Sequence, residues 1–301
     1  MRGGQSRLVG AVRRRPLLAF LLWLVTVGWA IGLTPVVVES AWDTELPFQP
    51  FAIATTVFGA LLPALVIAYL SEGGPGLRDL RARVSNVRLS FGWYAIALLA
   101  LPVPALVLAV IFLGPPDATA SAIVSAALAG LLLQGAIAFV TINFIEEIAW
   151  MGFFQARVQS SHGPAPAAVY AAAGFTLMHV PLFVANEAPV ALVLPLFFIM
   201  SIGFRALIGW VYNSTASLFL VGVLHAAGNA ATGGSGFGEG FLARLYDSQW
   251  ISVLHTVAAF AIGIGLIVAT RGRLGASDNE PRRPRSLLVQ LPDAAKSDAA
   301  A

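Results

Sequence analysis

The chain has 301 residues, 58% of them hydrophobic and only 11% charged, with 18 basic against 15 acidic residues and a mean hydropathy of +0.81. Soluble domains carry about 25% charged residues, so this composition excludes a water-soluble enzyme and points to a polytopic membrane protein. The absence of cysteine removes disulfides, thiolate nucleophiles and thiolate metal ligands from consideration.

A membrane-spanning helix needs about 20 mostly apolar residues. Eight such stretches follow one another, near 17–38, 51–70, 92–113, 123–154, 166–185, 189–210, 216–231 and 250–270. The first follows Arg13, Arg14 and Arg15, but it is long and lacks a small-residue cleavage site, so it reads as an uncleaved span rather than a signal peptide. After the second, GLRDLRARVSNVRLS sets Leu77, Leu80, Val84 and Val87 at helical spacing among four arginines, the pattern of a helix lying on the inner leaflet; a solvated loop is the alternative. The fourth stretch is too long for one crossing and is expected to bend or leave the hydrocarbon at its end. The seventh is short and rich in small residues. Beyond residue 270 the sequence is Pro- and Ala-rich with mixed charge, which predicts one integral-membrane domain over 1–270 and a disordered tail over 271–301. No internal repeat of fixed period and no inverted repeat is evident.

Basic residues accumulate in cytoplasmic loops. With eight spans and the N-terminus inside, every one of the 18 basic residues except Arg244 falls on the cytoplasmic side, while Glu39, Asp43, Glu45, Asp117 and Glu187 fall outside. The expected fold is therefore all-α, with about eight transmembrane helices and both termini cytoplasmic.

Few polar residues lie inside these spans: Gln134, Asn143, Glu146 and Glu147 in the fourth, His179 in the fifth, His225 and Asn229 in the seventh. A carboxylate in hydrocarbon costs roughly 2.5 to 3.5 kcal/mol on insertion scales, so the adjacent pair in FIEEIAWMGFF is a functional candidate. His162, in a loop, and His255, near the outer start of the last span, read as interfacial histidines. His225 and Asn229 are four apart in HAAGN and share a helix face, with small residues between them that allow close approach. Glu146 and Glu147 project about 100° apart, so one can face a cavity while its neighbour takes a hydrogen-bonding role. Close together in a low dielectric they repel, which suits one of them to act as a general base. Trp150 lies on the same side at helical spacing and offers an apolar wall. Counting 1.5 Å per residue places Glu146 toward the cytoplasmic end of its span and the histidines at different depths. They can meet only if the helices tilt around a cavity, which this count opens to the cytoplasm.

In this order, EE, then Phe175 and His179 in FTLMH, then His225 and Asn229 in HAAGN, the residues resemble the CAAX prenyl protease and bacteriocin-processing family (CPBP, or Abi), intramembrane glutamic endopeptidases whose motifs read EExxxR, FxxxH and HxxxN. YNSTASLFLVGVLHAAGN is also similar to the family's approach to its third motif, and the likeness extends over roughly Trp93 to Ala231. The resemblance implies that Glu146 activates a water with help from His179, that Glu147 is a supporting carboxylate, that His225 and Asn229 bind the oxyanion, and that Phe175 shapes the pocket. It implies no cofactor, a peptide or protein substrate, possible contact with membrane lipid, no nucleic acid, and residence in a bacterial cytoplasmic membrane.

The chain departs from the family at Met151, where the first motif ends in Arg. Arg205, Arg157 or a protonated Glu147 could each compensate for the missing charge partner. Three rival readings remain: a zinc site, disfavoured because neither HExxH nor HxxEH is present; a proton-coupled transporter using the glutamates and His179 as a relay; and a degenerate family member acting as a membrane scaffold.

Overall fold

The computed structural model of the chain describes residues 2–233 and 238–276, so the expected disordered tail lies, from residue 277 on, outside the described residues. The structure is helical, with no strand among the described residues. The helices are α1 (Arg2–Arg14), α2 (Pro16–Gly32), α3 (Thr34–Trp42), α4 (Phe48–Val84), α5 (Phe91–Leu99), α6 (Pro102–Leu113), α7 (Ala120–His162), α8 (Pro164–Ala185), α9 (Val190–Thr215), α10 (Leu218–Thr232) and α11 (Trp250–Ala269).

Five of these, α4, α7, α8, α9 and α11, are long and apolar enough to cross a membrane, and the bent pairs α2/α3 (41°) and α5/α6 (40°) raise the number to seven if each is one span. Both bends precede a proline in the first turn of the next helix, Pro35 and Pro102, where the missing N–H breaks the hydrogen-bond ladder. The eighth apolar helix, α10, has only 15 residues and covers roughly 22 Å, less than the ~30 Å hydrocarbon thickness. Its length is explained by its position. Leu218, Leu220, Leu224, His225 and most of its alanines are buried, so α10 is surrounded by protein rather than lipid.

Close helix crossings use glycine. A Cβ at Gly203 of α9 would collide with the backbone of Phe260 in α11, and one at Gly263 would collide with the carbonyl of Gly203. Only hydrogen at these two positions lets the backbones approach this far.

Two expectations change. α7 is one continuous helix of 43 residues, longer than the stretch read from hydropathy, and it contains three wide-turned π-helical segments, the last over Ile148–Gln155, directly after the glutamates. The arginine-bearing segment after the second span is helical, as expected, and is set off from the rest of α4 by non-helical backbone at Gly73 (φ 67°), but part of its apolar face meets protein rather than lipid: Leu80 is buried in the cluster with Met151 and Leu218, and Arg83 Nη1 donates to the Gly152 carbonyl (3.0 Å) and to Tyr212 Oη (2.9 Å).

The bundle has two distinct ends. At one, Asn86 donates to the Thr215 carbonyl (2.9 Å), Ser217 donates to the Asn86 carbonyl (2.6 Å), and Arg13 donates to the Leu70 carbonyl (2.7 Å). At the other, Tyr246 Oη donates to the Gly114 carbonyl (3.1 Å) and Phe241 N donates to the Ala230 carbonyl (2.9 Å), tying the segment between α10 and α11 to the loop after α6.

Candidate functional site

Helices α7, α8 and α10 bring the five motif residues into one region, with α9 closing it from behind. A cavity of about 690 Å³ is lined by Asn143 and Glu146 from α7, Phe175 and His179 from α8, Phe204 from α9 and His225 and Asn229 from α10. That volume lies within the range of small-molecule and peptide side-chain pockets. Glu147 does not line it.

The two glutamates have different surroundings. Glu147 is fully buried and receives hydrogen bonds from Arg205 Nη1 on both carboxylate oxygens, at 2.8 and 3.0 Å. Arg205 is itself fully buried, and its Nε and Nη2 donate to Gln155 Oε1 at 2.9 and 2.7 Å, while Gln155 Nε2 donates back to the Arg205 carbonyl at 3.1 Å. The guanidinium is thus held between a carboxylate and an amide, and a buried charge with this many partners is worth keeping only as a complete set. Of the three candidates for the motif arginine's place, geometry selects Arg205. Arg157 instead pairs with Glu72.

His225 lies between the glutamates. Its Nδ1 is 2.9 Å from Glu147 Oε1 and its Nε2 is 3.7 Å from Glu146 Oε2. A carboxylate that already accepts from a guanidinium accepts again from Nδ1–H, which directs Nε2 toward Glu146. Gln155, Arg205, Glu147, His225 and Glu146 therefore form one chain of polar contacts that ends at the cavity. Glu146 has no closer ion-pair partner than His225 among the described residues.

His179 is oriented independently. Its Nδ1 is 2.8 Å from the Phe175 carbonyl, which can only accept, so Nδ1 carries hydrogen and Nε2 is left with its lone pair. No direct hydrogen bond joins His179 to Glu146, though both line the same cavity. The ring lies tilted against Phe175 (4.4 Å between centroids) and Phe197 (4.9 Å). Phe175 in turn has the Arg205 guanidinium 5.8 Å from its centre, so it separates the cavity from the buried charge.

Trp150 and Met151 do not line the cavity. Trp150 is fully buried behind Phe175, edge-on to Phe20 and Phe175, with Nε1 donating to Met178 Sδ at 3.2 Å. The wall expected of it is supplied by Phe175, Phe197 and Phe204 instead. Met151 packs in the apolar cluster with Leu80, Leu207 and Leu218.

Two site residues escaped the sequence reading. Gln155 gave a signal, a lone amide in an apolar run eight residues after Glu147, but π-helical turns begin at Ile148 and α-helical phasing does not carry across them. His255, read as an interfacial histidine, lines the cavity from α11, with Nε2 buried, without a hydrogen-bond partner, and set against Gly228 of HAAGN. Among the described residues no group of three or more His, Cys, Asp or Glu is arranged to hold a metal ion.

Residues 128–231 match the family model described as type II CAAX prenyl endopeptidase Rce1-like. The resemblance to the CAAX protease family is real. The matched segment begins in α7, ends in α10 and contains every residue of the three motifs. A search of curated proteins finds no match. Together with its apolar helices, the Rce1-like match makes the chain an integral membrane protein.

Proposed function

We propose that this protein is an intramembrane glutamic endopeptidase of the CAAX protease type, with both termini on the cytoplasmic side. The observation that carries this reading is the asymmetry of the glutamate pair: Glu147 is held by Arg205 and His225, while Glu146 meets the cavity beside Asn143, with its nearest ion-pair partner, His225 Nε2, at 3.7 Å. A base must be free to take a proton, and its neighbour must be fixed to orient the histidine between them.

In this reading a water held between Glu146 and His179 Nε2 loses a proton to Glu146 as its oxygen attacks the scissile carbonyl. Negative charge then develops on the carbonyl oxygen, and Asn229, which lines the same cavity, supplies a donor, joined by His225 Nε2 when that ring carries a proton on both nitrogens. Glu146 finally returns the proton to the leaving amine, which leaves two peptide fragments and the enzyme as it began. No metal or nucleophilic side chain takes part.

The test is cleavage of a diverse peptide pool by purified protein in detergent, for wild type, Glu146→Gln and His179→Ala, with and without a chelator. Cleavage that disappears in both variants and survives chelation is expected. Cleavage that persists in Glu146→Gln, or that the chelator abolishes, would overturn the mechanism.

A further inference from the structure

The cavity is polar at one end and packed shut at the other. Its exposed lining residues are Gln49 at the start of α4, Asn186 just after α8 and Ser252 at the start of α11, with Thr232 closing α10 beside them. These four helix termini share one end of the bundle. Toward the opposite end, beyond Glu147, the space is filled: Gln155 and Arg205 are fully buried, Gly152 is covered by Leu80 and Leu218, and Arg83 is bonded across the Gly152 carbonyl and Tyr212.

Charge separates along the same axis. The packed end exposes Arg13, Arg14, Arg15, Arg78, Arg81, Arg88, Arg271 and Arg273, whereas the mouth end exposes Arg244 alone among the described basic residues. Arginine bias, not acidic charge, sets orientation in a membrane. We propose that the cavity is entered from the outer face of the membrane, so that its substrate is a polypeptide segment presented on the side away from the cytoplasm. This replaces the cytoplasmic opening expected from counting residues along the spans. That count placed Glu146 near the cytoplasmic end of its helix, but depth along a helix does not say which way the space beside it opens.

Sidedness is measurable without any activity, because the chain contains no cysteine and each introduced one is the sole thiol. Asn186→Cys and Ser252→Cys report the rim, Ser201→Cys reports the buried lining of the cavity, and Arg78→Cys and Arg88→Cys report the packed end. Right-side-out and inverted membrane vesicles from bacterial cells expressing each variant are treated with a membrane-impermeant maleimide for the rim and end positions. A small cationic methanethiosulfonate is used for Ser201→Cys.

The expected result is labelling of Asn186→Cys, Ser252→Cys and Ser201→Cys in right-side-out vesicles and its loss in inverted ones, with the reverse for Arg78→Cys and Arg88→Cys. Labelling of Ser201→Cys only in inverted vesicles would overturn the proposal, as would reaction of the arginine-end cysteines from outside. Failure of Ser201→Cys to react in either orientation would also overturn it, since the cavity would then be open to neither face. Peptide cleavage is scored separately, so an inactive protein with outward labelling would refute the endopeptidase reading and leave the access route standing.

Discussion

Arg205 and Glu147 meet through two hydrogen bonds from a single guanidinium nitrogen, 2.8 and 3.0 Å long, with neither side chain exposed. The family pattern places its arginine four residues after the second glutamate, on the same helix; here that position is Met151 and the charge arrives from α9. A buried pair of this kind is strongly destabilised by loss of one partner, because the other is left without compensation. Arg205→Met should therefore cost about 3 to 5 kcal/mol. Thermal unfolding of the detergent-purified protein measures the loss. Adding Met151→Arg to that variant should recover part of it, whereas Met151→Arg in the wild type adds a second buried cation and should destabilise.

Glu146 should behave in the opposite way. Its nearest ion-pair partner, His225 Nε2, is 3.7 Å away, so Glu146→Gln, which keeps the side chain's shape, is expected to lower the unfolding temperature far less than Arg205→Met does. Cleavage should nevertheless fall by roughly 10²- to 10⁴-fold, the usual contribution of a general base. Equal damage to stability and turnover would show that the carboxylate is structural.

His255 keeps a buried nitrogen without a partner at the cavity wall. Replacing an unsatisfied polar group by an apolar one of similar size is neutral or stabilising. His255→Leu should hold or raise the unfolding temperature, and if the nitrogen contacts substrate the same change should raise KM for peptide with less effect on kcat. A drop in stability without a change in KM would make it a packing residue.

The crossing of α9 and α11 leaves no room for a methyl group at Gly203 or Gly263. Gly263→Val should force the helices apart at a cost of about 1 to 3 kcal/mol or more. Arg205 is only two residues from that crossing, so cleavage should fall further than stability alone explains. Kinetics at a temperature well below the unfolding transition separate the two effects.

Much of this architecture was readable in the residues. Hydropathy located the five long apolar helices, the two bent pairs and the short α10, because a backbone that crosses hydrocarbon demands an uninterrupted apolar run and a helix enclosed by protein demands one too. The EE, FxxxH and HxxxN spacing located the helices that carry the motif residues, since a side chain four residues on returns to the same face. What spacing could not supply was phase and long-range pairing. The π-helical turns after Glu147 shifted the faces on which Trp150 and Gln155 lie, and nothing in local spacing connects residue 147 to residue 205. Leu80 and Val84 read as lipid-facing because amphipathic patterns do not distinguish an apolar partner made of lipid from one made of protein.

The origin of the site's positive charge also bears on how the protein is made. Glu147 and Arg205 are 58 residues apart. A ribosome adding about 5 to 20 residues per second takes several seconds to cover that interval. During those seconds α7, whose own Arg157 pairs elsewhere, carries the two glutamates without the guanidinium that Glu147 will meet, where an arginine at position 151 would have been made with them. The Glu147 ion pair therefore forms only after α9 has been made. With its arginine on a later helix, the pair is an assembly step rather than a local contact.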